Sequence, residues 1–223
     1  MHEKISIIGA GSWGTALAIH LAGNFGQISL WVYEKELCET ITRTRDNAWF
    51  LPGHPLTKNI HPTSSLQSAV QGQSLILLVV PTHVIRQTLS QIKPFIEKDC
   101  LVISASKGIE NNTLFTSHQI TQDVLSHNTP TATISGPTFA KEIAEGIPSA
   151  LLASAENFET ARLIQNLFTT DKMKVFTNDD LVGVEIGGAL KNVIAIATGI
   201  SDGLGLGYNT RAALITRGLV EIS

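Results

Sequence analysis

Cysteine is scarce in this chain: its 223 residues hold only Cys38 and Cys100. They stand far apart, without the spacing that a disulfide framework or metal cluster needs, and read as reduced thiols. An excess of charge is lacking too, because 16 Lys and Arg face 19 Asp and Glu for a net charge of -3. The basic residues are scattered, so no polybasic footprint points to nucleic acid or an anionic membrane surface as partner. Long apolar runs are missing as well. Residues 74–80 are too short to span a bilayer, and the apolar stretch near Val193 is interrupted by Lys191 and Asn192, so no membrane insertion is expected. The first strand begins within a few residues of Met1, which leaves no room for a basic leader and apolar signal core, and the expected location is cytoplasmic. Internal repeats and low-complexity segments are also absent.

What is present is an ordinary globular composition, 43% apolar, with enough chain for one large domain or a domain and a half. Short runs rich in Ile, Leu and Val predict strands at 4–8, 28–32, 75–80, 101–105, 131–135 and 149–154, with a short one at 174–176. Helical patterns fall between them, at about 15–22, 35–44, 83–92, 114–125, 139–144 and 157–168. Strands this continuously apolar predict a parallel sheet covered on both faces, in a doubly wound, Rossmann-type α/β fold. Residues 46–63, with four prolines and glycines beside Trp49 and Phe50, predict a long irregular loop that is packed down. After Asp180 the texture changes to an apolar helix reaching about Ile200, and a further helix starts near Asn209 and is still running at Ser223. These divisions predict a dinucleotide-binding domain over 1–180 and the first helices of a severed all-α substrate domain over 181–223.

The clearest motif follows the first strand directly: Gly9, Ala10, Gly11, Ser12, Trp13, Gly14, then a helix of small residues. A strand, this glycine spacing and a helix together form a dinucleotide fingerprint: one glycine makes the turn, one admits the pyrophosphate and one packs helix on strand. The second strand ends in Tyr33 and Glu34. A carboxylate there can accept both hydrogen bonds of an adenosine ribose diol and repels a 2′-phosphate, which leans towards NAD.

Ligands of open α/β sheets sit beyond the carboxyl ends of the strands, and three segments there carry chemistry. Pro81, Thr82 and His83 offer a helix start and a possible acid or base, although a histidine in that place is more often a helix-start residue. Ser106, Lys107 and Gly108 project an ammonium group beside a glycine, against the plain alternative of a surface lysine. Gly136, Pro137 and Thr138 predict a helix start whose free amides at Thr138, Phe139 and Ala140 suit a phosphate or oxyanion, or else an ordinary turn. On the long apolar helix, Lys191 is flanked one turn away by Gly187, Gly188 and Ala195. Set in that apolar surface, Lys191 is expected to be desolvated and able to exchange a proton near neutrality; pairing with Asp202 is the rival.

Jointly these residues resemble the bacterial NAD(P)-dependent glycerol-3-phosphate dehydrogenase family. The resemblance runs through GAGSWGTALA from Gly9, WFLPG from Trp49, VVPTHV from Val79, SKGIE from Ser106, ISGPTFAKEIAEGIPSA from Ile134, and the block from Val184 to Glu221. It implies interconversion of dihydroxyacetone phosphate and glycerol 3-phosphate with NAD or NADP, in service of glycerophospholipid synthesis. It further implies that Lys191 is the proton donor and acceptor, and that Lys107 contacts both substrate and nicotinamide. Gly136 and Thr138 correspond to substrate contacts, and Ser12, Trp13 and Ala140 to cofactor contacts. Tyr33 stands where related sequences often have histidine or arginine, and relatives accept NADP despite an acidic residue at the place of Glu34. Family members are often homodimers and continue well past Ser223 to supply further substrate ligands. The expectation is therefore a chain that binds dinucleotide and turns over poorly. A non-catalytic dinucleotide-binding module and an adenosylmethionine-dependent methyltransferase are the competing classes.

Overall fold

The structure is a computed structural model, and it describes residues 2–222. In chain order the elements are β1 (His2–Ile8), α1 (Ser12–Leu21), β2 (Phe25–Trp31), α2 (Lys35–Thr44), β3 (Ile60–Thr63), α3 (Leu66–Val70), β4 (Leu75–Leu78) and α4 (Thr82–Ile92). There follow β5 (Leu101–Ser104), α5 (Ser117–Val124), β6 (Thr131–Ser135), α6 (Ala140–Ala144), β7 (Ser149–Ala155), α7 (Phe158–Phe168), β8 (Met173–Asn178), α8 (Leu181–Gly203) and α9 (Gly207–Ile222).

The strands form one sheet in the order β3-β2-β1-β4-β5-β6-β7-β8. The Ile, Leu and Val of its middle strands are buried on both faces. Ile5 and Ile7 of β1 point into a core shared with α1, α2 and α7, while Ile8 packs in a second core under α3, α4 and α5. The doubly wound Rossmann-type architecture expected from the sequence is what forms.

Two expectations need correction. The sheet is not parallel throughout, because β6 and β7 pair antiparallel, Thr133 opposite Ser154, and β7 then pairs parallel with β8. The cause lies in α6, which is only five residues long and packs against α1 instead of running back along the sheet. A parallel return needs a crossover that traverses the sheet face, so a chain that stays at the carboxyl edge re-enters the sheet in the opposite sense. The second correction concerns residues 46–63. The loop is packed down as expected, with Asn47, Leu51 and Leu56 buried, but its last four residues are the edge strand β3. Pro62 pairs there with Leu30, which a strand with only one neighbour tolerates.

Local chemistry sets the helix ends. Thr116 and Gln119 form a reciprocal capping box at α5, which starts there and not at Leu114, and Asn157 accepts the Thr160 N–H at 2.8 Å to start α7. Asp180 accepts the Gly183 N–H at 2.8 Å to start α8. Because β7 and β8 run against the other strands, α8 sets out from the opposite edge of the sheet and passes β7 and β6. Its tenth residue beyond Leu181, about 15 Å further along the axis, is Lys191. Lys191 and Asn192 do not interrupt the helix, and at 23 residues α8 is long and apolar enough to cross a membrane by length and composition. α9 folds back on α8, with Gly218 against Ile194. The outer faces of both helices leave Val193, Ile196, Ile200, Leu219 and Val220 exposed.

Truncating Ile7, fully buried in β1, is expected to cost about 3 kcal/mol. Ile196→Ser on the exposed face of α8 is expected to change stability by less than about 0.5 kcal/mol. Urea denaturation of both variants checks this contrast, and equal losses would contradict the placement of the core.

Candidate active site

The turn after β1 fits only glycine at two of its three fingerprint positions. Gly9 has φ +119°, and a Cβ there would lie 2.7 Å from the Val79 carbonyl oxygen. A Cβ on Gly14 would collide with the Gly9 carbonyl, whereas one on Gly11 meets nothing within 4 Å and faces open space. That open approach, at the start of a ten-residue helix, is what a pyrophosphate requires.

Two cavities meet at this turn. One, of about 440 Å³, extends from Gly9, Ala10 and Gly11 to Tyr33, Glu34 and Phe50 beyond β2. The other, of about 430 Å³, extends from Gly11, Ser12 and Trp13 to Lys107, Thr138 and Ala140. Gly11, Val79, Val80 and Pro81 line both, so the cleft has an arm on each side of the glycine turn. Two arms meeting at an open glycine turn are the shape a dinucleotide needs.

Several side chains that hold this cleft escaped sequence reasoning. Asn47 is fully buried, and its Nδ2 donates to the Ala10 carbonyl and to Thr15 Oγ1, both at 2.8 Å. Its Oδ1 accepts the N–H of Phe50, which lines the Tyr33 arm. One amide thus ties the long loop to the glycine turn across 37 residues of sequence, a separation at which no local pattern operates. Thr82 Oγ1 donates to the Lys107 carbonyl at 2.9 Å and packs against Gly108, whose φ of +129° suits glycine. Arg86 makes a two-nitrogen pairing with Glu110 and a further ion pair with Asp123, fixing the far end of the Lys107 loop.

Lys107 is half-buried, and its Nζ donates to the Gly136 carbonyl oxygen at 3.3 Å. Burial, reinforced by the neighbouring positive charge of Lys191, lowers its pKa to about 8. Lys191 is thus near enough for its charge to act on Lys107. The desolvation expected at Lys191 falls on Lys107 instead, because Lys191 is exposed on α8 and lies outside the lining of the cavity. Asp202 is not its partner; that carboxylate pairs with Arg211 through two contacts of 2.7 and 2.6 Å.

α8 comes close at this point because a Cβ on Gly188 would lie only 3.0 Å from Ser135 Oγ at the end of β6. Gly136 is needed for a similar reason: a Cβ there would lie 2.8 Å from the Ala150 carbonyl oxygen. The free amides expected after Pro137 form only in part. The helix begins at Ala140, and the Thr138 N–H donates to the Gly136 carbonyl at 3.0 Å. What Thr138 has instead is a buried Oγ1 without a hydrogen-bond partner. His83 is exposed and lines neither arm of the cleft.

Asn47→Ala is expected to leave the protein folded and to weaken NADH binding about tenfold, equal to roughly 1.4 kcal/mol. Calorimetric titration measures this, and an unchanged affinity would show that the loop does not position the turn.

Comparison with known proteins agrees with this geometry. The profile described as NAD-dependent glycerol-3-phosphate dehydrogenase N-terminus matches residues 4–161, and the corresponding C-terminus profile matches residues 180–223. Relatives named glycerol-3-phosphate dehydrogenase [NAD(P)+] from Citrifermentans bemidjiense and Geobacter sulfurreducens are each 49% identical over the whole of this chain, which spans 67% of their length. Among solved structures, the glycerol-3-phosphate dehydrogenase of Coxiella burnetii is similar over 99% of this chain and 67% of its own, with 37% identity and a TM-score of 0.93. Profiles, relatives and fold agree, and the chain belongs to the NAD(P)-dependent glycerol-3-phosphate dehydrogenase family.

Proposed function

We propose that this chain interconverts dihydroxyacetone phosphate and sn-glycerol 3-phosphate with NAD(P)H, supplying the glycerol phosphate of phospholipids. The observation that carries the reading is Lys107 in the wall of one arm of a cleft whose glycine turn is open to a pyrophosphate, with the charge of Lys191 close by.

Gly9, Gly11 and Gly14 shape the turn, Ser12, Trp13 and Ala140 flank the nicotinamide arm, and Tyr33 and Glu34 flank the adenosine arm. The cofactor, when bound, supplies or accepts the hydride; the remaining work belongs to the protein. Lys107, Gly136 and Thr138 orient the substrate, with the Thr138 hydroxyl available to an oxygen of the ligand. As hydride reaches C2 of the ketone, negative charge grows on its oxygen, and the paired ammonium groups stabilise it. Lys191 donates a proton to that oxygen, so ketone, hydride and proton give the secondary alcohol; in the reverse direction Lys191 takes the proton back. Glu34 favours NAD by its charge, while the relatives' names include both coenzymes.

In this reading residues 1–180 are the dinucleotide-binding domain and 181–223 the first helices of the substrate domain. α8 is a helix of that domain and not a membrane span, a reading supported by Lys191 beside Lys107 and by buried Glu185. Two buried free thiols, Cys38 and Cys100, suit the cytoplasm, and the exposed apolar row of α8 and α9 is consistent with a homodimer. The exposure of Lys191 favours one further reading, a dinucleotide-binding module without turnover.

Loss of NADH absorbance on adding dihydroxyacetone phosphate separates the two. Turnover that falls at least about 100-fold in Lys191→Met, with NADH affinity kept, is the expected result. Tight NADH binding by the unaltered chain without any substrate-dependent oxidation would instead establish the non-catalytic module.

A further inference from the structure

α8 is poorly anchored for a helix that carries a reactive group. Of its 23 residues only Leu181, Glu185 and Ser201 are buried, and Leu181 sits in the first turn. Gly187 beside Lys191 has open space around it, and the close approaches of Gly188 to Ser135 and of Ile194 to Gly218 hold the helix by small groups and not by deeply buried side chains.

Glu185 is the exception, a carboxylate 8% exposed and six residues before Lys191. A buried carboxylate is tolerated only with donors around it. Here the N–H of His118 donates to Oε1 at 3.1 Å and approaches Oε2 at 3.4 Å. Thr116 is the N-cap of α5 and His118 belongs to its first turn, where backbone amides have no partner within the helix. The donor residue is held in turn: His118 Nδ1 lies 2.6 Å from Thr131 Oγ1 of β6, and its Nε2 lies 3.6 Å from Glu156.

A directional contact of this kind is satisfied in one register only, whereas a sliding apolar face has several. We propose that Glu185 is a positioning residue, whose carboxylate clamps α8 onto the N-terminus of α5 and thereby fixes where Lys191 stands relative to Lys107. The inference rests on the paired-lysine reading of the site. Glu185 touches no reacting atom in that reading; it acts through the helix that carries Lys191.

The test reads the pH dependence of Lys107 acetylation by brief pulses of acetic anhydride, followed by peptide mass spectrometry, on the whole chain. The unaltered protein is expected to show a midpoint near 8, well below the ordinary lysine value of 10.5. Lys191→Met removes the neighbouring charge and should raise the midpoint. Glu185→Ala should raise it as well, because α8 is released and Lys191 moves away, while NADH affinity stays within about twofold. A merely structural loss would lower the melting temperature and leave the midpoint of the folded protein where it was. If Glu185→Ala fails to fold, Glu185→Gln takes its place: its amide nitrogen cannot accept, so a smaller rise is expected. A raised midpoint in Lys191→Met with an unchanged midpoint in the folded Glu185 variant overturns this inference alone. An unchanged midpoint in Lys191→Met overturns the paired-lysine reading beneath it.

Discussion

Two like charges placed side by side repel, and in the proposed site Lys107 and Lys191 are near each other because each is carried on an element fixed elsewhere. The Lys107 loop is tied down by the Thr82 hydroxyl and by the Arg86 pairing with Glu110. Lys191 arrives on α8, whose start is capped by Asp180 and whose glycine face lies on Ser135. The repulsion is thereby paid at folding and is recovered in the proposed reaction, where charge developing on the substrate oxygen meets ammonium groups already in place. Lys107 registers the arrangement through its lowered pKa, to which burial contributes most and the charge of Lys191 next.

The reversal of direction between β6 and β7 makes this meeting possible. Had β7 continued the parallel pattern, β8 would end at the same edge as β1 and β5, and the helix after it would run away from the cleft. With β7 and β8 reversed, α8 begins at the far edge and passes β7 and β6, and the charge of its Lys191 acts on Lys107 just beyond β5. A five-residue helix, α6, produces the reversal because it is too short to cross the sheet. Its first residue, Ala140, and the two residues before it, Thr138 and Phe139, line the same arm of the cleft as Lys107.

Much of this was legible in the chain itself. The strand, glycine turn and helix from Lys4 to Leu21 are a local pattern with a local cause, and Glu34 follows the second strand at the start of α2. The alternation of apolar runs with helical patterns was enough for the doubly wound class. What was hidden depends on contacts between distant segments. The antiparallel pairing of β7 leaves no mark on its composition, since a strand buried on both faces is apolar in either direction. Asn47 looks like any loop asparagine until it is seen 2.8 Å from the Ala10 carbonyl. The division of burial between the lysines is hidden as well, because an apolar helix need not be a buried one. α8 turns most of its apolar surface outward, and it is Lys107, flanked by serine and glycine in sequence, that loses water.

The place of a bound nicotinamide ring decides whether Lys107 and Lys191 form one site. A crystal structure of the chain with NADH tests it most directly. The ring is expected in the arm lined by Trp13, Lys107 and Ala140, with both lysine side chains on its open side and the pyrophosphate on Gly11. A ring outside that arm, or Lys191 swung away from Lys107 with NADH bound, would contradict the paired-ammonium site.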